Sequence, residues 1–152
     1  MYEMFLSPGK IGNLTLKNRS IFPPMGSGYV EDEIPMDRLV DYHVRRVQGG
    51  CAMNIVEIAT VHYTTKSPTV IGIYDDRFLP GLEKLARGIK NAGGIACIQL
   101  WHGGRQTSGQ PFGGQPWGPS ATTCAFIGEE VLALRLFDRI QPTFAVRYYS
   151  LT

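Results

Sequence analysis

Cysteine is scarce in this chain, and what there is cannot pair off: Cys51, Cys97 and Cys124 are three in number and widely spaced. No CxxC pair occurs, and His43, His62 and His102 stand far apart, so neither a compact zinc site nor an iron–sulfur spacing is present. The thiols read as buried or partly buried groups of a non-secreted protein. Long hydrophobic runs are missing as well. The apolar stretches are strand-sized, far short of the ~20 residues a membrane-spanning helix needs. Met1–Phe5 has no basic region and no sustained apolar core, so no secretory leader is expected and the compartment expected is the cytoplasm. Charge of one sign is lacking too. Fifteen Lys and Arg face thirteen Asp and Glu, a net charge of +2 without a basic cluster, so nucleic acid is not an expected partner.

What is there is a globular composition, with 43% apolar and 18% charged residues in 152, enough for one domain with a real core. Pro8-Gly9 and Gly12-Asn13 bracket short apolar pieces, and Leu14 and Leu16 alternate with polar neighbours as in a small hairpin. Ile21-Phe22 opens a strand that Pro23-Pro24 must end, since proline cannot donate to a ladder. Met25–Tyr29 is then a loop at a strand's carboxyl end. Gly26-Ser27-Gly28 invites a dinucleotide-binding reading that fails, because Glu31-Asp32-Glu33 would set carboxylates where a pyrophosphate belongs.

Pro35 fits the opening of a helix whose Leu39, Val40, His43, Val44 and Val47 share one face and which Gly49-Gly50 stops. Residues 52–58 form a second strand, apolar almost throughout as a strand buried on both faces should be. Glu57 near its end is either a carboxylate at the rim or part of a site. A loop of about twenty residues follows, long enough to suggest function. Pro80-Gly81 opens a second helix with Leu82, Leu85, Ala86 and Ile89 on one stripe, Gly93-Gly94 ends it, and Ile95–Leu100 is a third strand. Strand, helix, strand, helix, strand predicts a parallel α/β arrangement with right-handed crossovers, part of a larger sheet or barrel. Its ligand site belongs at the carboxyl edge, where Gln99, Trp101, His102 and Arg105 crowd among glycines. A Gly/Pro/Gln-rich loop runs on to Gly118.

Four segments together resemble one family. Leu16-Lys17-Asn18-Arg19 running into Pro23-Pro24-Met25 is similar to the first-strand signature of the old yellow enzymes. Tyr42-His43-Val44-Arg45-Arg46 with Gly49-Gly50, Gln99–Arg105, and Trp117-Gly118-Pro119-Ser120 are similar to its later motifs. The form Gln99-Leu100-Trp101-His102-Gly103-Gly104 leans toward the NADH:flavin oxidoreductases grouped with 2-enoate and dienoyl-CoA reductases, and within these toward bile-acid-pathway flavin enzymes.

The resemblance implies the amino-terminal portion of a (β/α)8 TIM barrel, about three βα units behind an N-terminal hairpin, with FMN across the carboxyl ends of the strands. It implies an FMN-dependent oxidoreductase moving hydride between NADH or NADPH and an activated alkene, with an enone or enoyl compound as the partner molecule. A homo-oligomer is compatible with it. Pro24, Met25 and Gly26 fall on the flavin-contacting first strand, and Ile58 where the second strand approaches the ring. Gln99 falls on the glutamine that pairs with the pyrimidine edge; an amide offers donor and acceptor in one plane, which that edge requires. The alternative for Gln99 is a strand-end amide capping loop backbone. His102 and Arg105 are expected to brace the glycine loop. Gly26 stands where many members carry threonine or cysteine, which leaves the redox tuning open.

A non-catalytic partial barrel that pairs its open edges with another chain is the competing reading. An α/β-hydrolase using His102-Gly103-Gly104 fails for want of a GxSxG elbow. The domain expected is residues 1–130, with 131–152 an atypical tail. All 18 glycines lie in the first 128 residues and none in the last 24, where the family pattern would continue as a polar helix. The tail thus suggests a shifted frame or a truncated product, which the downstream nucleotide sequence read in three frames would test. Iron–sulfur ligands would have to come from a carboxyl-terminal region beyond this sequence.

Overall fold

The structure is a computed structural model, described here for residues 2–107, 116–118, 120–125, 128, 130 and 132–133. Three parallel strands carry the architecture: Ile21–Phe22, Met53–Thr60 and Ile95–Trp101. The middle strand pairs along its whole length with the third, from Met53↔Ile95 to Thr60↔Trp101, and on its other edge holds the first strand through Ile21↔Met53 and Phe22↔Asn54. This is the amino-terminal portion of a parallel barrel. The Gly/Pro/Gln-rich stretch 108–115 and most of 131–152 lie outside the described residues, so the expected third loop and atypical tail are not followed there. Leu132–Ala133 alone pairs in parallel with Trp117–Gly118.

The crossover helices are Asp37–Gln48 and Leu79–Asn91. Asp37 in the first turn and Arg45 and Arg46 in the last complement the dipole of the first. Its Leu39, His43 and Val47 are buried, as are Leu85, Ala86 and Ile89 of the second. Both stripes close on the convex side of the sheet, where Val56, Ala59 and Ile71 meet Leu39, Val47, Leu85 and Ile89 in the main core. The second helix stops at Gly93, whose φ of +85° favours glycine, and Gly94 then passes so close to Val47 that a Cβ would lie 2.6 Å from its Cγ2.

A smaller cluster sits on the concave side, made of Leu16, Ala52 and Met53 with Ile55, Ile95 and Cys97. Leu16 comes from the hairpin Gly9–Ile11/Leu14–Leu16, which covers the amino-terminal end of the sheet as a floor. Asn18 ties floor to sheet, since its Nδ2 donates to Gly50 O (2.9 Å) and its Oδ1 accepts from the Ser20 N–H (2.9 Å). This gives the Leu16–Arg19 motif a structural reason.

Several boundaries differ from the sequence reading: the second strand is Met53–Thr60 rather than 52–58, the second helix opens at Leu79, and the third strand extends to Trp101. The first helix starts at Asp37, not at Pro35, because Pro35 pairs with Val30 in a small hairpin, Val30–Glu31/Ile34–Pro35. The long loop after the second strand is not structureless. It contains 3-10 turns at Tyr63–Thr65 and Asp76–Phe78, and a strand, Ile71–Gly72, that pairs in parallel with Ala59–Thr60.

The Glu31-Asp32-Glu33 run also has a definite role. Asp32 and Glu33 turn the small hairpin with φ of +49° and +66°. Glu33 tolerates this because its buried carboxylate accepts from Tyr74 Oη at 2.8–2.9 Å and meets Arg77 at 3.4 Å. Burial and the Glu33 carboxylate push the Tyr74 hydroxyl up to about 12.

Candidate functional site at the carboxyl edge of the strands

The register of the second strand decides what faces the concave side. Side chains alternate along a strand, so Val56 on the helix side would normally be followed there by Ile58. The ladder instead shifts between Val56 and Ile58, a bulge at Glu57. Beyond it Ala59 returns to the helix-side core, and Ile58 pairs with Gln99. Paired residues of a parallel ladder point to the same face, so the bulge sets Ile58 and Gln99 side by side near the carboxyl ends. Gln99 is exposed and Ile58 half-buried.

The first strand delivers its loop beside them. Phe22 is clamped by the first helix: the rings of Tyr42 and His43 meet its edge at 5.8 and 5.9 Å, and the Arg46 guanidinium lies 4.7 Å from its centroid. These are the residues of the Tyr42–Arg46 motif, which thus fixes where Pro23-Pro24 leaves the sheet. Past them Pro24 is half-buried and Met25 and Gly26 are exposed, Met25 at 52%. A Cβ built on Gly26 would meet nothing within 4 Å.

Glu57 is buried, at 3% exposure, and its Oε2 accepts the Ser27 N–H at 2.8 Å. The carboxylate is therefore neither a rim group nor an exposed one; it holds the loop that follows Gly26. Its proximity in sequence to the strand end was the only signal for it.

His43 lies in the core at 1% exposure, its Nδ1 within 3.2 Å of Asn54 Nδ2 and its Nε2 unpartnered, and burial lowers it to about 4, with Arg46 adding to the shift. It belongs to the scaffold.

Above the strand ends His62 and His102 come together from two loops. Gly104 N–H donates to His102 Nδ1 (3.0 Å), so the neutral ring carries its proton on Nε2, 3.4 Å from Thr64 Oγ1. The Thr64 hydroxyl in turn lies 2.9 Å from His62 Nδ1, which also accepts the Thr64 N–H at 3.3 Å. Trp117 lies against both rings, at 4.8 and 4.9 Å. Burial lowers both imidazoles, and His62 is lowered further by His102. His102 thus braces the glycine loop as the sequence suggests; Arg105 is exposed. Thr64 and the meeting of His62 with Trp117 carried no sequence signal, because the partners are long-range.

Of the five residues the sequence singled out, Ile58 and Gln99 are neighbours across one ladder. Pro24, Met25 and Gly26 occupy the loop at the adjoining strand end. Among the described residues no group of three His, Cys, Asp or Glu could hold a metal, and no helix is long and apolar enough to cross a membrane. Cys51 and Cys97 are half-buried and Cys124 buried, all free.

Residues 4–131 match the family described as NADH:flavin oxidoreductase / NADH oxidase. The NADH oxidase of Thermoanaerobacter brockii is 36% identical over 133 residues, 85% of this chain and 20% of that protein. Among solved structures, the old yellow enzyme homologue from Zymomonas mobilis superposes with a TM-score of 0.75 at 26% identity, covering 88% of this chain and 40% of that one. A 2-naphthoyl-CoA reductase complex gives a TM-score of 0.77 at 26% identity, covering 88% of this chain and 23% of that one. The chain therefore spans between 20% and 40% of the length of these proteins.

Proposed function

Because the chain belongs to the NADH:flavin oxidoreductase / NADH oxidase family, we propose that residues 1–130 form the FMN-binding part of an ene-reductase or enone dehydrogenase. Bound FMN supplies the redox chemistry, passing hydride between NADH or NADPH and an activated alkene, an enone or enoyl compound. The residues present suit that group. The exposed Gln99 amide offers a donor and an acceptor in one plane, Ile58 and Met25 offer apolar surface beside it, and the space around Gly26 is open, a Cβ there meeting nothing within 4 Å. Pro24 keeps the loop backbone off the ladder, and the His62–Thr64–His102 chain ties the neighbouring loops.

The observation that carries this reading is the pairing of Ile58 with an exposed Gln99 at the carboxyl ends of the strands. The test is FMN binding by the expressed chain. Weak FMN binding by the isolated chain, read as a change in the flavin band near 450 nm on titration, and its loss in Gln99→Leu, are the expected results. A chain that leaves FMN wholly free at high micromolar concentration would overturn the reading.

One observation favours a second reading, an interaction module. Among the described residues the third strand pairs only with the second, and Leu100 on its other face is 59% exposed. Parallel edges of this kind recruit a further strand. A colourless chain that self-associates in light scattering would favour it over the first.

A further inference from the structure

Glu57 does more than fill a bulge. Its carboxylate is almost wholly shielded from solvent, and it reaches across to the Ser27 backbone N–H, 30 residues away in sequence, at 2.8 Å. A buried carboxylate is costly to keep unless it is hydrogen-bonded, and bonds to it are stronger than those between neutral groups. The atom it holds is one residue past Gly26, in a segment where Met25, Gly26 and Gly28 are all exposed. Gly28 has a φ of +72°, and a Cβ on it or on Gly26 would meet nothing. Such a segment has little packing of its own to fix it. Ser27 adds one local bond, from the Tyr29 N–H to its own Oγ at 3.1 Å. The same bulge that frees Glu57 from the ladder restores Ile58 to the face of Gln99.

We propose that Glu57 is a positioning residue: through Ser27 it holds the Pro24–Met25–Gly26 segment in register with Ile58 and Gln99, so that three strand ends present one flat seat for the flavin. This rests on the FMN reading for its functional consequence and on the Glu57–Ser27 bond for its geometry. A bulge and a buried carboxylate then act as one device, with one residue setting the heights of two strand ends.

The test compares Glu57→Gln, which keeps an acceptor oxygen of nearly the same reach, with Glu57→Leu, which keeps the bulk and removes the acceptor. Amide hydrogen exchange on the full chain without ligand is the first readout. Ser27 is expected to be protected in wild type and Glu57→Gln, and to exchange at least tenfold faster in Glu57→Leu, with the amides of the second strand unchanged. FMN titration followed by flavin fluorescence is the second. Affinity is expected to fall roughly tenfold in Glu57→Leu and to recover in Glu57→Gln, consistent with one lost hydrogen bond to a charged group.

Equal Ser27 exchange in all three proteins would overturn the inference, whether or not FMN binds. Unchanged FMN affinity in a folded Glu57→Leu would overturn it while leaving the FMN reading intact. Absence of FMN binding in wild type, with Ser27 protected as expected, would instead remove the FMN reading and leave Glu57 as the residue that holds the loop. If Glu57→Leu does not fold, Ser27 exchange in wild type against Glu57→Gln decides alone, and fast exchange in wild type is the adverse result.

Discussion

Gln99 stands opposite Ile58 across a parallel ladder, and the two share a face because the strand slips by one residue at Glu57. An amide next to an aliphatic side chain is an economical way to read a flat heterocycle with one polar margin: the aliphatic group covers the face and the amide satisfies the edge. Gln99 is exposed, so its side chain adds little to folding. Gln99→Leu is therefore expected to leave the melting temperature within about a degree. It should weaken FMN by roughly ten- to a hundredfold, the worth of two hydrogen bonds at about 0.5–1.5 kcal/mol each. Fluorescence titration beside a thermal melt checks both, and equal affinities for the two proteins would disprove it.

Much of this arrangement was legible in the chain. Glycine pairs at 49–50 and 93–94 stop both helices, and the apolar stripes they bound are the faces that the convex core buries. Pro23-Pro24 ends the first strand where a missing donor requires it. The bulge was not legible, because Met53–Thr60 alternates no better with it than without it; only the pairing with Gln99 shows which side Ile58 takes. Pro35 misled for a similar reason. Its fixed φ suits a helix start and a ladder end alike, and the ladder with Val30 took it.

Gly72 tests how tightly the second loop is seated. A Cβ there would lie 2.5 Å from two ring carbons of Phe78, whose side chain is 1% exposed and so cannot swing away into solvent. Gly72→Ala should cost about 1–3 kcal/mol through overpacking. Urea unfolding measures the loss, and a variant as stable as wild type would mean that Phe78 has somewhere to go.

Thr64 is the joint of the His62–Thr64–His102 chain, and it is buried. Thr64→Val keeps the shape but removes the hydroxyl that both rings share, a loss of about 1–3 kcal/mol for partners left unpaired. In wild type, nitrogen–proton correlation spectra are expected to show both rings as the Nε2–H tautomer. In Thr64→Val both rings should keep that form, His62 through the Thr64 N–H and His102 through the Gly104 N–H, while the His102 Nε2–H loses its acceptor. A wild-type His102 protonated on Nδ1 would contradict the chain.

Acid should unfold this protein early, and the sign follows from where the histidines sit. His43 is lowered to about 4 by burial and by Arg46, while the unfolded chain binds a proton near 6.5. Its folded-state pKa being depressed, the neutral core ring contributes stability that is complete above pH 6.5 and is lost as pH falls from there toward 4, on the order of 2–3 kcal/mol in all. His62 and His102, also lowered by burial, act in the same direction. Protonation at Nδ1 would set a second donor against the N–H groups of Thr64 and Gly104, so the loops over the strand ends loosen as the core does. The urea midpoint is expected to drop steadily between pH 6.5 and 4.5. In nuclear magnetic resonance titrations the His43 ring is expected to stay neutral down to about pH 5, and a His43 that titrates near 6.5 in the folded chain would show that its site is open to water.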